Sequence, residues 1–278
     1  MTAEPAETVP SPLGRVRHVV RSRIAEHPAL YLPFARRKYP GPSPEVISSE
    51  TELVIDGYTR SASTFAVYAF QLAQSSPVRL AHHLHAPAQL IAAAKTGKPT
   101  LVVIREPKGA VLSQLIREPE VDMKNAMVAY ARFHSCLMPY RTSFVIADFQ
   151  EVTHHFGPVI RRINERFDTT FTEFEDTEAN AKLCFDLIKH RPTTIPAWRE
   201  TLLGFESGTV TLSELRAFQR QMGDELEPAI EEESWIPSAA REHQKEALTE
   251  LWTHPKLAAR RERAELAYQD FLRGSNAV

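Results

Sequence analysis

Leu53-Val54-Ile55-Asp56-Gly57-Tyr58-Thr59-Arg60-Ser61-Ala62-Ser63-Thr64 is the stretch on which the reading of this 278-residue chain turns. A short apolar run that ends in glycine reads as a buried strand. The Ser/Thr-rich turn after it predicts a helix start, with the helix running over Ser63–Gln74. Outward from this unit the same alternation recurs. Val78–His82 predicts a strand and Pro87–Lys95 a helix. Thr100–Ile104 is the clearest strand, set between Lys98-Pro99 and Arg105-Glu106-Pro107. Helices are predicted over 107–117 and 122–138, a strand over Thr142–Ala147 and a helix over Pro158–Phe167. Strand–helix alternation predicts an α/β fold, a central parallel sheet with helices on both faces. The last third lacks good strands and predicts a helical C-terminal lobe, with helices at Leu212–Met222, Ala239–Leu251 and Lys256–Leu272. The acid-rich stretches Glu173–Glu178 and Asp224–Glu233 read as solvated loops.

Composition narrows the classes. The chain is 43% hydrophobic and 24% charged, with 33 basic and 35 acidic residues for a net charge of −2. That is ordinary globular usage, which excludes collagen-like, low-complexity and wholly disordered chains. No apolar run approaches the roughly 18 residues of a membrane span. The opening MTAEPAETVPSP has no apolar core of a secretory signal, so a cytoplasmic protein is expected. Cys136 and Cys184 are too few for a disulfide framework.

Charge is unevenly placed. Between Leu13 and Pro40 stand Arg15, Arg17, Arg21, Arg23, Arg36, Arg37 and Lys38 against the single acid Glu26. Residues 1–45 are expected to form a disordered or basic amphipathic arm, with Pro40-Gly41-Pro42-Ser43-Pro44 as a stiff linker. Residues 46–278 then make the domain, ordered from about Glu50. The plain reading of the arm is a solvated helix docked on an acidic body. The sharper one is a peripheral membrane or anionic-substrate surface, since Leu13, Val16, Val19, Val20 and Ile24 fall near one helical face. Nucleic acid is not expected as a partner, because the basic stretch lacks interleaved aromatics.

Chemistry gathers at the strand ends. Against the phosphate loop G-x-x-x-x-G-K-[ST], Gly57 and Thr64 match, while Ala62 stands for the second glycine and Ser63 for the lysine. Helix-start N–H groups still suit an anion, and Arg60 supplies a cation three residues earlier. A Ser/Thr helix cap is the plainer account. Ala62 carries a Cβ, so the loop is expected to avoid positive φ there. The strand Thr100–Ile104 ends in Arg105, which attracts phosphate and repels magnesium, and Ser113 lies eight residues on. Asp148 stands where a magnesium ligand would sit, or where a turn or helix cap would.

Two anion sites at adjacent strand ends describe a nucleotide with phosphates at its 5′ and 3′ positions. Here the sequence resembles the PAPS-dependent sulfotransferases, whose donor is 3′-phosphoadenosine 5′-phosphosulfate. Their 5′ loop, approximately P-K-S-G-T-T-W, is similar to Thr59-Arg60-Ser61-Ala62-Ser63-Thr64-Phe65. Their 3′ motif, approximately R-N-P-K-D-V-A-V-S, is similar to Arg105-Glu106-Pro107-Lys108-Gly109-Ala110-Val111-Leu112-Ser113. Their K-T-H-x-P element is similar to His83-Leu84-His85-Ala86-Pro87. The likeness spans residues 53–167.

The resemblance implies a P-loop NTPase-like sulfotransferase fold and transfer of a sulfuryl group from PAPS to a hydroxyl of a small-molecule, lipid or carbohydrate acceptor, with no metal. It implies that His85 is the base and that His83 replaces a lysine; His82 and His83 compete for the role because all three lie near one strand end, and a surface histidine cluster on a loop is the plainer account. Arg60 with Ser61, Ala62, Ser63 and Thr64 would hold the 5′-phosphosulfate, and Arg105 with Ser113 the 3′-phosphate. Phe65 would stack on adenine or else pack in the core. The closing segment over the nucleotide is either Arg191 with Trp198-Arg199, where Pro192 and Pro196 break the pattern, or Pro237-Ser238-Ala239-Ala240-Arg241. Two alternatives stand beside this reading: an ATP-dependent P-loop small-molecule kinase, and a non-catalytic member that binds a nucleotide or a membrane.

Overall fold

The computed structural model describes residues 12–39, 45–191, 195–223, 236 and 238–273. The expectations for residues 1–11, for the Pro40–Pro44 linker, for Pro192, for Asp224–Glu233 and for Pro237 lie outside them, as does the side chain of Leu13. Two helices lead, α1 (Pro12–Ile24) and α2 (Pro28–Lys38). Then come β1 (Leu53–Gly57), α3 (Ser63–Ala73), β2 (Leu80–His82), α4 (Pro87–Thr96) and β3 (Thr100–Ile104). They are followed by α5 (Pro107–Arg117), α6 (Met123–Leu137), a 3-10 turn at Met138–Ser143 and β4 (Val145–Asp148). After them stand α7 (Phe149–His154), α8 (Phe156–Phe167), α9 (Glu178–His190) and α10 (Pro196–Ser207). The described chain ends with α11 (Leu212–Met222), α12 (Ala239–Thr253) and α13 (Ala258–Leu272).

The sheet is parallel throughout, in the order β2-β1-β3-β4, with Ile55 opposite Leu101 and Val103 opposite Ala147. Every residue of β1 and β3 is buried, which is why Leu53–Ile55 and Leu101–Ile104 read as apolar runs: helices cover both faces. Val54, Val102, Ile104 and Ile146 join α2, α4, α5, α6 and α13 in one core. Leu53, Ile55, Leu101, Val103 and Ala147 point the other way and join α3, α8, α9 and α10 in a second. The α/β architecture expected from the sequence is therefore present.

Strand order also fixes where a ligand can enter. β1 feeds α3 on one face, whereas its neighbour β3 feeds α5 on the other. Connections that leave adjacent strands for opposite faces open a crevice at the strands' carboxyl ends. Gly57 is required there, because a Cβ would lie 2.0 Å from the Val103 carbonyl oxygen.

Several elements differ from expectation. β2 is three residues long, and β4 starts at Val145 because Pro139 lies in the 3-10 turn before it. α7 is a separate short helix closed by a capping box, in which Asp148 accepts from the Glu151 N–H and Glu151 from the Asp148 N–H. Asp148 is thus a helix cap. The acid-rich loop gives way to α9 at Glu178, capped by Thr177. Packing begins well before Glu50: Tyr31, Leu32 and Ala35 of α2 are buried in the first core, and the Ala88 N–H donates to the Ala25 carbonyl. The body presents acids to the arm: Glu118, Glu120 and Asp122 lie close enough to His18 of α1 to raise its pKa against the effect of burial. An ion pair also holds it, from Glu26, the single acid between Leu13 and Pro40, to Arg132 of α6.

Candidate functional site

The loop from β1 to α3 is shaped by two left-handed residues, Arg60 at φ 67° and Ala62 at φ 76°, with Ser61 between them. The expectation that Ala62 avoids positive φ is wrong. Turning the chain from strand into helix here needs that conformation, and alanine adopts it under strain of order 1–2 kcal/mol. Left-handed residues flanking one of negative φ are the backbone setting in which anion nests form. No side chain caps α3. Ser61 and Ser63 are buried, and their hydroxyls have no hydrogen-bond partner among the described residues. Unpartnered buried hydroxyls beside a helix N-terminus are chemistry that an anionic oxygen would complete.

Arg60 ties this loop to the next strand end. Its Nε donates to the Ser113 hydroxyl at 3.0 Å, and its carbonyl accepts from Arg105 Nη1 at 3.2 Å. The Arg105 guanidinium lies 4.1 Å from the centre of the Phe149 ring, and the Tyr130 hydroxyl donates to the Arg105 carbonyl. Arg105 Nε makes no hydrogen bond and only approaches the half-exposed Glu106 carboxylate, at 3.5 Å. Burial and the charges of Arg241, Arg117 and Arg105 push Arg60 down to about 10, still fully cationic at neutral pH. Arg60, Arg105 and Ser113 are therefore brought together, in a field of like charge.

Beside them stands His85, positioned by a residue the sequence reading passed over. Asp56, the last residue but one of β1, is fully buried. Its carboxylate accepts from the N–H groups of Gly57 (2.9 Å) and His85 (3.1 Å) and from Gln89 Nε2 (3.3 Å). His85 Nδ1 lies 3.2 Å from that carboxylate and 2.9 Å from the Gly57 carbonyl. Two acceptors at Nδ1 assign the proton there and leave Nε2 as the basic nitrogen. Burial works against a charged imidazole, but Asp56 and the Gly57 carbonyl outweigh it and hold the His85 pKa above the ordinary value. The signal for Asp56 was an ionisable residue inside an otherwise apolar strand.

The competing histidines are otherwise engaged. His83 Nε2 meets the Thr64 hydroxyl at 2.8 Å, and its Nδ1 meets Nδ1 of the buried His82. Burial and the nearby Arg191 keep His83 well below the usual histidine range, so it is neutral and brings no charge to the lysine's place. Nitrogens of His82 and His83 and an oxygen of Glu206 lie within 4.8 Å of one another, a spacing a metal could use. The Glu206 carboxylate, however, is held by the Arg191 guanidinium at 2.7 and 3.1 Å and by the Tyr68 hydroxyl, which neutralises it without a metal.

Phe65 is 3% exposed and packs on Phe185 of α9 at 5.3 Å, a core position rather than a stacking platform. Trp198 is fully buried and Arg191 is held by Glu206, while Arg199 of the same segment is exposed. Arg241, near the start of α12, is close enough to Arg60 to bias its charge, which puts the later segment beside the cationic cluster.

A cavity of about 120 Å³ opens on the same side, lined by Tyr58, Thr59, His85, Gln114 and Phe133 and covered by α1. Comparison with protein-family models, with curated proteins and with solved structures gives no match. The reading of the site rests on its own geometry and on the motifs.

Proposed function

We propose that this protein is a PAPS-dependent sulfotransferase of P-loop NTPase-like fold, moving a sulfuryl group to a hydroxyl held in the cavity beside His85. The observation that carries the reading is the Arg60–Ser113 hydrogen bond, which joins the two motifs across 53 residues at one crevice. A donor with anionic groups at the 5′ and 3′ positions of its ribose suits two arginines, Arg60 and Arg105, held at neighbouring strand ends. The left-handed loop, the uncapped α3 and the unpartnered hydroxyls of Ser61 and Ser63 suit the 5′-phosphosulfate. Arg105 and Ser113 suit the 3′-phosphate.

In the step itself the acceptor oxygen attacks sulfur while the bond from sulfur to the bridging oxygen breaks. The hydroxyl proton passes to His85 Nε2, and adenosine 3′,5′-bisphosphate leaves. Asp56 keeps the imidazole aligned and stabilises the imidazolium that forms. Arg60 and the loop N–H groups stabilise charge that grows on the bridging oxygen.

The test is transfer of radiolabelled sulfur from PAPS into fractions of an extract of the producing cells, with mass spectrometry of the labelled products. A labelled ester made by the native protein, and made roughly 10²–10⁴-fold more slowly by His85→Ala, is the expected result. Label transferred equally well by His85→Ala would remove the base, and no labelled product in any fraction would remove the activity.

A further inference from the structure

Among the described residues nine large apolar side chains are exposed, and six of them lie on α1 and α2: Val16, Val19, Val20, Ile24, Leu30 and Phe34. Leu30 and Phe34 are 62% and 65% exposed, far beyond what packing against the body leaves. On α1 the four apolar residues follow the i, i+3, i+4, i+8 spacing of one stripe. His18, Arg21, Ser22 and Ala25 take the opposite side, toward the body. Around the apolar residues stand Arg17, Arg23, Arg36, Arg37 and Lys38, all exposed. None of these five is within ion-pair distance of a carboxylate among the described residues. The only acid of the segment, Glu26, is spent on Arg132.

We infer that α1 and α2 dock this protein on an anionic lipid bilayer, lying in the interface without crossing it. Charge complementarity selects that occupant. Apolar side chains enter the headgroup–acyl boundary while arginine stems reach up to the phosphates, the design of an interfacial amphipathic helix. A second copy of the chain seated on this face would bring two sets of unpaired cations together. A nucleic acid would leave the apolar stripe against phosphates.

The far side of α1 gives the docking a consequence. His18, Arg21, Ser22 and Ala25 line the cavity that His85 also lines, so the cavity lies directly beneath the docking helix. Resting on the sulfotransferase reading, this assigns the acceptor to hydroxyl-bearing amphiphiles carried in the same bilayer.

The experiment is co-sedimentation of the full chain, without nucleotide, with vesicles of phosphatidylcholine alone or with about one-third phosphatidylserine. Expected is partition onto the anionic vesicles that falls as salt rises, with little on the neutral ones. The double variant Val20→Glu/Phe34→Glu, and separately Arg17→Glu/Arg23→Glu, should each lower that partition at least tenfold. Both keep native circular dichroism and native affinity for adenosine 3′,5′-bisphosphate. No pelleting, equal pelleting on both vesicle types, or pelleting unchanged in both variants would overturn the docking. So would a dimer in light scattering that the same substitutions disperse. For the native chain, bisphosphate binding without partition onto anionic vesicles removes the docking alone, and partition without bisphosphate binding removes the transfer reading alone.

Discussion

At the scale of single residues the site depends on side chains in conformations that their chemistry resists. Ala62 sits at φ 76° without being glycine. Replacing it with glycine removes Cβ strain at a modest cost in unfolded-state entropy, so Ala62→Gly should raise stability by about 1 kcal/mol in thermal or urea unfolding. A loss of stability would mean that the methyl group packs usefully. In the proposed mechanism Asp56 acts through His85, as a positioning residue. Asp56→Asn takes away the group that raises the His85 pKa and leaves burial, which lowers it. Because the base must be neutral to accept a proton, transfer should fall as pH drops through the His85 value. In Asp56→Asn that acid limb should move to lower pH while kcat falls at least about tenfold. An unmoved limb would detach the carboxylate from the histidine. Arg60, Arg105 and Ser113 were legible as cations and a hydroxyl at the right spacing. The left-handed backbone at His83 and His85, which lets one histidine turn to Thr64 and the other to Asp56, has no sequence signature, since neither is glycine or asparagine.

Among elements, α5 carries the most specific expectation. Gly109 lies in its first turn, where a Cβ would stand 1.9 Å from Glu106 Oε1 and 2.8 Å from Arg105 Nε. Both atoms belong to flexible side chains, so Gly109→Ala should fold well and gain up to about 1 kcal/mol of helix stability. It should also displace the Arg105 guanidinium and weaken adenosine 3′,5′-bisphosphate binding. Stability and affinity moving in opposite directions, read by unfolding and by calorimetry on one sample, would locate Arg105 at the nucleotide. Unchanged affinity would place it elsewhere. Strands β1 and β3 were legible because burial on both faces demands apolar runs, and their bounding glycine and prolines mark the ends. α9 and α10 were not, because acidic and proline-bearing segments precede them and their apolar residues, Cys184, Leu187, Trp198 and Leu202, match no strand beside them in sequence. α2 was read as part of an arm because Tyr31 and Leu32 find their partners on α4, far along the chain.

Across the whole molecule, buried histidines set the response to acid. His134 of α6 lies among Tyr58, Tyr130, Phe133 and Phe271, and burial pushes it down to about 4, against a favourable bond from its ring to the Tyr130 carbonyl. A folded value below the unfolded one gives stability that is complete above about 6.5 and lost as pH falls toward 4. At pH 4.5 the loss from His134 is about 2 to 3 kcal/mol. His82 and His83, also lowered by burial, act in the same direction. His85, raised, acts oppositely: its contribution is present below the unfolded value and is lost as pH rises through the folded one. Urea unfolding should therefore show marked weakening between pH 6.5 and 4.5 that His134→Phe reduces, and a variant with unaltered pH dependence would contradict the burial argument. The strand order and the crevice it opens, by contrast, were not readable from any one segment. They follow from which faces the helices after β1 and β3 cover.

The central claim is that one crevice holds a nucleotide phosphorylated at both its 3′ and 5′ positions, and calorimetry on the full chain tests it directly. Adenosine 3′,5′-bisphosphate should bind at least tenfold more tightly than ATP with magnesium, and Arg105→Ala should erase that preference. Tighter binding of ATP with magnesium, or bisphosphate binding untouched by Arg105→Ala, would contradict the account.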